Sequence, residues 1–394
     1  MRGSSMRLRV VRDVAVLVML SSVPALAADY PNPLDVEPTP AVQELPQSWP
    51  ASWILVHDMN FTSLLDGRVV VIDTAGDTHN LKGVVPAAQF GNFVAARTRP
   101  EIYVAETFYS RLTRGERTDA ITIYDRTTLV PKGEIVLPGG KRGQFVSTRN
   151  SFQLVNDEKW ALVFNFTPAS SVTIVDLQAR KILGDIDLPG CSMIYPVGQR
   201  SFATLCADGT MTTLGLAADG KLASTTTSKP FNNIDKDPMF MMPAVVGNMA
   251  WFVTFQGNVR GVDMAGPVAA EKSFFALGTA DGASPAWRPG GWQVASADIA
   301  GHLYVLMSPN GKEGSHKDGG SEVWVVDPVS KKRLQRIKLE APGISIEVTR
   351  EAQPTLVVAR ADGILDVYDA GTGKLKKTLG GGIAISPFTM TAVQ

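Results

Sequence analysis

The chain has 394 residues, 38 of them Lys or Arg and 38 Asp or Glu, for a formal net charge of zero. Without a net positive field it lacks the electrostatic basis for gripping nucleic acid or an anionic membrane. Two Cys and four His exclude a cysteine-dense framework and leave little material for a metal centre.

The N-terminus reads as a secretory signal peptide over residues 1–27. Arg2, Arg7, Arg9 and Arg12 form a positive region, Val14–Leu20 an apolar core too short to span a membrane, and Ala25-Leu26-Ala27 a small-residue cleavage site. Its removal takes four Arg and one Asp from a balanced chain and leaves a formal charge of −3. Residues 28–50 follow as a Pro-rich arm. Pro31, Pro33, Pro38, Pro40, Pro46 and Pro50 fix φ repeatedly and remove backbone donors, which predicts an extended segment.

From residue 51 to 394 one phrase recurs: a β-branched run, an acidic residue, a turn and a second strand. The copies are RVVVID ending at Asp73, AITIYD at Asp125, SVTIVD at Asp176, a degenerate TMTTLG at Gly215, NVRGVD at Asp263, EVWVVD at Asp327 and ILDVYD at Asp369. Their spacing of roughly 40 to 65 residues, with strands such as EIYVAETF and KWALVFNF between them, predicts an all-β, seven-bladed propeller of four-stranded antiparallel blades. A sandwich with extra domains gives no reason for a repeat along the whole chain. The terminal Asp of each copy is structural, because its carboxylate can accept backbone N–H groups two residues on and start the turn.

Between the first two copies lies FYSRLTRGERTD, Phe108–Asp119, with Arg111, Arg114 and Arg117 on a three-residue beat. It is predicted as a loop at one rim of a blade. The arginines either pair with Glu116 and Asp119 in a local lattice or form a docking patch for another chain's carboxylates. No aromatic platform is interleaved, which argues against a nucleic-acid site.

Further along, Cys191 and Cys206 lie in strand-like sequence on either side of the turn signal Pro196-Val197-Gly198. Neighbouring hairpin strands would bring them within bridging distance in an oxidising compartment; two buried free thiols are the alternative. His57, His79, His302 and His316 form no local metal pair, and HEXXH, GxSxG, Walker and CxxCH signatures are absent. The chain by itself looks like a scaffold or a subunit.

Three stretches carry a resemblance: FYSRLTRGERTD with the following AITIYDRTTLVPKGEIVLP, AWRPGGWQ (Ala286–Gln293) and PNGKEGSHK (Pro309–Lys317). They resemble the heavy subunit of the periplasmic quinoprotein amine dehydrogenases, the methylamine and aromatic amine dehydrogenases, from about Trp53 to near the C-terminus. The cysteine pair falls where that family has a heavy-chain disulfide. The resemblance implies that this chain carries no catalytic residue and no cofactor. Tryptophan tryptophylquinone would reside on a separate cysteine-rich light subunit, in an assembly of two heavy and two light chains. Electrons would leave to a cupredoxin, amicyanin or an azurin, in the periplasm.

Within VHDMNFTSLLDGRVVVID, Phe61 best matches the aromatic residue that lines the family's substrate channel; an ordinary core Phe is the alternative. Trp287 and Trp292 in WRPGGW fit packing aromatics better than quinone precursors. The substrate class stops at a primary amine, since PNGKEGSHK leans to the aromatic branch and WRPGGW to the methylamine branch. Competing readings are a secreted propeller scaffold that has no light partner, and a stand-alone metal-dependent lactonase with axial His ligands. A neighbouring gene for a short cysteine-rich exported protein, or stoichiometric metal, would separate them.

Overall fold

A β-branched run with apolar residues at every position suits a strand buried on both faces. Stacking sheets side by side around an axis creates that environment. The computed structural model describes residues 44–279 and 287–393. The signal peptide, the arm up to residue 43 and Ala286 of the AWRPGGWQ stretch lie outside the described residues.

Seven antiparallel sheets form the blades. Counting strands outward from the axis, blade 1 is Pro387–Ala392, Trp53–Asp58, Arg68–Asp73 and Leu81–Pro86. Blade 2 is Asn92–Ala95, Glu101–Arg111, Arg114–Asp125 and Pro131–Val136, and blade 3 is Phe152–Val155, Trp160–Asn165, Ser171–Asp176 and Lys181–Asp187. Blade 4 is Cys191–Val197, Ser201–Cys206, Met211–Leu216 and Leu222–Thr227. Blade 5 is Ala244–Val246, Met249–Val253, Asn258–Asp263 and Ala270–Ala276. Blade 7 is Ser345–Val348, Thr355–Ala359, Leu365–Asp369 and Leu375–Leu379.

Blade 6 has a divided inner edge. Arg288–Pro289 and Ala295–Ala297 both pair with Leu303–Ser308, followed by Gly320–Asp327 and Lys332–Gly343. Gly290 and Gly291 sit at the break. A Cβ on Gly290 would lie 2.6 Å from the Gly319 carbonyl oxygen, and one on Gly291 2.5 Å from that of Ile344. Only glycine permits this approach of three backbones.

All seven copies of the repeated phrase fall on the third strand of a blade. In blades 1, 2, 3, 5 and 6 the terminal Asp accepts the backbone N–H two residues on: Asp73 from Ala75, Asp125 from Thr127, Asp176 from Gln178, Asp263 from Ala265 and Asp327 from Val329. Asp369 of blade 7 accepts from Thr372, three residues on. The second strands are the most deeply buried; Trp53–Asp58 and Trp160–Asn165 have no exposed position. Outer strands reach solvent, and every residue of Leu222–Thr227 is exposed. The core consists of clusters between adjacent blades.

The ring closes by pairing the C-terminal strand with Trp53–Asp58, Ile54 opposite Ala392 and Val56 opposite Met390. The last described residues of the Pro-rich stretch lie against blades 1 and 2. The Leu45 N–H donates to the Thr127 carbonyl, and the buried Trp49 packs on Trp53 with ring centroids 5.5 Å apart.

Successive strands alternate in direction. Connections from second to third strand, and from one blade to the next, therefore emerge at one face, called upper here. The Asp turns join third to fourth strands at the lower face.

Candidate functional site

Phe61, the Arg-rich stretch and PNGKEGSHK lie in second-to-third strand connections, and WRPGGW opens the inner edge of blade 6 opposite Met307 and Ser308, so all four share the upper face. The Cys191–Cys206 disulfide, with S–S 2.01 Å, joins the first residue of blade 4's inner strand to the last residue of its second strand, at the same face. Pro196 and Val197 still belong to the inner strand, so the turn begins only at Gly198.

Phe61 is 44% exposed and is no core residue. Its ring meets Phe388 edge-on at 5.0 Å, and Phe388 packs at 5.5 Å on Trp292, whose indole N–H donates to the Ser147 carbonyl. This row of three rings, all partly exposed, runs from Trp292 at the inner edge of blade 6, over Phe388 at the upper end of the innermost strand of blade 1, to Phe61. The loop around Phe61 is held by Asp58, which is fully buried. The Asp58 carboxylate accepts the N–H groups of Asn60, Ile385 and Ser386 at 3.1, 2.9 and 2.7 Å, and Arg68 lies 3.1 Å away. Ser386 in turn accepts the Phe61 N–H on its Oγ at 3.3 Å.

The Arg-rich stretch is not a loop. Strands Glu101–Arg111 and Arg114–Asp125 run on past the blade as one long hairpin, with Phe108 opposite Thr118 and Arg111 opposite Arg114. Its sequence reads as a loop because the projecting end meets solvent on both faces and shows no apolar alternation. The expected Arg–carboxylate lattice does not form around all three arginines. Arg117 pairs with Asp119 at 3.0 Å, whereas Arg111 and Arg114 are exposed and make no ion pair among the described residues.

The base of this hairpin rests on a buried polar cluster. Arg142, almost without exposure, donates to Thr107, to the Asn92 side chain and to the carbonyls of Gln89 and Phe90, and lies 4.0 Å from Asp119. Thr107 and Arg117 both donate to Asp119 Oδ1, while its buried Oδ2 has no hydrogen-bond partner among the described residues. Burial pushes the Arg142 guanidinium down to about 10 and raises the Glu106 carboxyl nearby, which accepts from Thr122 and the Ala88 N–H.

Exposed large apolar side chains also collect on this face: Phe61, Phe108, Leu112, Phe166, Met241 and Ile385. Trp287 packs against Trp324 at 5.5 Å under the Arg336 guanidinium, and His316 stacks on Phe255 at 4.2 Å. Both are packing roles. On the lower side, His302 bonds Asp298 at 2.9 Å beside a cleft of about 430 Å³ lined by Val246, Met249, Trp251 and the turn at Asp327, away from Phe61, the Arg-rich stretch, WRPGGW and PNGKEGSHK. His57 is buried on the second strand of blade 1, where desolvation pushes it down to about 4. Among the described residues, no three His, Cys, Asp or Glu side chains converge as metal ligands, and no helix is long and apolar enough to cross a membrane.

Phe388, Asp58 and the axial pair Arg149–Glu347 escaped the sequence reading. Their partners are distant in the chain, and no local pattern marks them.

Comparison with known proteins agrees with this geometry. The family model described as methylamine dehydrogenase heavy chain matches residues 53–389. The methylamine dehydrogenase heavy chain of Methylobacillus flagellatus is 30% identical over 304 residues, covering 76% of this chain and 75% of that protein. That of Methylophilus methylotrophus is 29% identical over 374 residues, covering 92% and 90%. Among solved structures, the dihydro-heme d1 dehydrogenase NirN superposes with a TM-score of 0.51 at 17% identity, covering 92% of this chain and 79% of that one. A Lactobacillus plantarum protein gives 0.57 at 11%, covering 86% and 97%. These two likenesses concern the fold alone. On the match across nearly all of its propeller, the chain belongs to the methylamine dehydrogenase heavy chain family.

Proposed function

We propose that this chain is the heavy subunit of a periplasmic amine dehydrogenase, exported by residues 1–27, that docks a cysteine-rich light subunit on its upper face. The observation that carries the reading is the gathering on that face of the family-like segments, the exposed apolar side chains and the exposed Arg111 and Arg114, which make no ion pair among the described residues. Apolar contact supplies association energy, and the two cations select a partner surface bearing carboxylates.

The tryptophan tryptophylquinone of the light subunit would supply the redox chemistry, taking two electrons as a primary amine and water become an aldehyde and ammonia. Phe61 lines the amine's path and excludes water by ring area, so the size of the passage favours some amines over others. The long hairpin, braced by Asp119 and Arg142, presents Arg111 and Arg114 at a fixed height above the blade. Two heavy and two light chains make up the complex, and electrons pass onward singly to a cupredoxin of the amicyanin or azurin kind.

Co-expression with a short cysteine-rich exported protein, followed by purification on this chain and mass spectrometry, tests the reading. The expected result is a stoichiometric small subunit, quinone absorbance and amine oxidation in the complex, with neither property in the isolated chain. Amine oxidation by the single chain would overturn the subunit assignment.

A further inference from the structure

Phe61 does not stand alone at the mouth. Among the described residues its ring has one aromatic neighbour within packing distance, Phe388, which comes from the far end of the propeller sequence and sits on the strand that closes the ring. Phe388 is itself held from three sides. Its carbonyl accepts the Ser345 hydroxyl at 2.5 Å, its ring rests on Trp292, and two residues on the Met390 N–H donates to Gln293 Oε1 at 2.8 Å. Gln293 adjoins Trp292 in sequence and donates to Glu347 at 2.9 Å. Both Phe388 and Trp292 are thus rooted in the buried polar network of the axis, while Phe61 is reached only through the loop that Asp58 ties down.

An edge-to-face contact at 5.0 Å holds the tilt of the more exposed ring, because the ring quadrupoles favour that arrangement. Asp58 strengthens the coupling, since one carboxylate receives N–H groups from the Phe61 loop and from the segment entering Phe388. The two rings therefore share one set of anchors.

We propose that Phe388 is a specificity-determining residue: together with Phe61 it forms a two-ring gate whose width sets how bulky a primary amine can pass. This rests on the reading that Phe61 lines the amine's path. A rigid pair discriminates by size more sharply than one mobile ring, because a bulky substituent must displace both rings or none. Trp292 backs the gate and limits how far Phe388 can retreat.

The test uses the reconstituted complex of heavy and light subunits with Phe61→Ala, Phe388→Ala, Phe388→Leu and the double alanine variant. For each, kcat/KM is measured for methylamine and for 2-phenylethylamine, and the ratio of the two is the readout. The expected result is that each single alanine variant shifts the ratio toward the bulkier amine by about tenfold. The double variant should shift it by clearly less than the product of the single effects, and Phe388→Leu should fall between wild type and alanine. A shift with Phe61→Ala but none with either Phe388 variant overturns the two-ring gate and leaves the path reading intact. Multiplicative single effects overturn the coupling. No shift with Phe61→Ala overturns the path reading and the gate with it. Phe388→Leu keeps the question answerable if the alanine variant fails to assemble, because it preserves apolar volume on the closing strand.

Discussion

Arg149 Nη1 lies 2.9 Å from Glu347 Oε2, so a side chain rooted just before blade 3 ends on the inner strand of blade 7, across the axis. The same guanidinium reaches the carbonyls of Met390 in blade 1 and Pro243 at the entry to blade 5, both at 3.4 Å. Glu347 is buried and also accepts from Ser296 and Gln293. A propeller's blades pack mostly on their neighbours, and this pair ties together blades that do not touch. Arg149→Ala leaves the Glu347 carboxylate buried without its cation and is expected to cost about 3 kcal/mol, the low end for a broken buried pair because the Arg149 side chain is 22% exposed. Urea unfolding of the isolated chain measures it. A loss below about 1 kcal/mol would mean the pair is spectator to closure.

Asp119 is the counter-charge for Arg117 and Arg142 at the foot of the projecting hairpin. Asp119→Ala should cost about 3–5 kcal/mol, since Arg142 is left buried with only neutral acceptors. Hydrogen exchange should show the largest gain in the strands Glu101–Arg111 and Arg114–Asp125. Uniform exchange across all blades would contradict a local role.

Arg111 and Arg114 give the contrasting outcome. Both are exposed and unpaired among the described residues, so the double charge reversal to Glu should leave the chain's own stability within about 0.5 kcal/mol of wild type. Under the docking proposed above, the same variant weakens light-subunit binding about tenfold or more, and added salt narrows the gap. Calorimetric titration at two salt concentrations reads both effects; unchanged affinity at low salt removes the hairpin from the interface.

His57 carries a pH dependence. Its folded value, about 4, lies below the ordinary 6.5 because burial disfavours the charged ring. The unfolded chain binds the proton more readily, so stability from the neutral ring is complete above about pH 6.5 and is lost as pH falls toward 4. The loss across that window is on the order of 3 kcal/mol. His57→Leu should flatten the profile there. Below it, acid unfolding continues as Asp125, held at about 2 chiefly by the Thr127 hydroxyl, takes up its proton between about pH 4 and 2. A melting temperature that is flat from pH 7 to 4 in the wild type would contradict the assignment to His57.

The Cys191–Cys206 bridge closes a short loop between two hydrogen-bonded strands. Replacing both with Ser is expected to lower stability by about 3 kcal/mol, in line with the loop-entropy relation. The loss should appear as a lower unfolding midpoint in denaturant, with the strand content read by circular dichroism unchanged. Equal stability of wild type and double variant would show that the strand pairing alone sets the local order.

The sequence by itself determined the elements whose causes are local. The run RVVVID and its six counterparts specify a third strand and, in six of the seven, the Asp that turns it, because strand pattern and carboxylate-to-backbone bonds act over two or three residues. Repetition then fixed the blade count, and the spacing of 15 positions from Cys191 to Cys206 suggested their pairing. The hairpin of Phe108–Asp119 carries no strand signal in its sequence, because away from the blade's flanks no buried face remains to impress an apolar alternation on it. Tertiary structure alone decided the rest. Phe61 meets Phe388, Asp58 holds Ser386 across 328 positions, and Arg149 finds Glu347 across 198. Closing the ring pairs the first and last strands of the propeller and sets inner strands of opposite blades face to face, and no pattern of neighbours along the chain records which side chains will meet there.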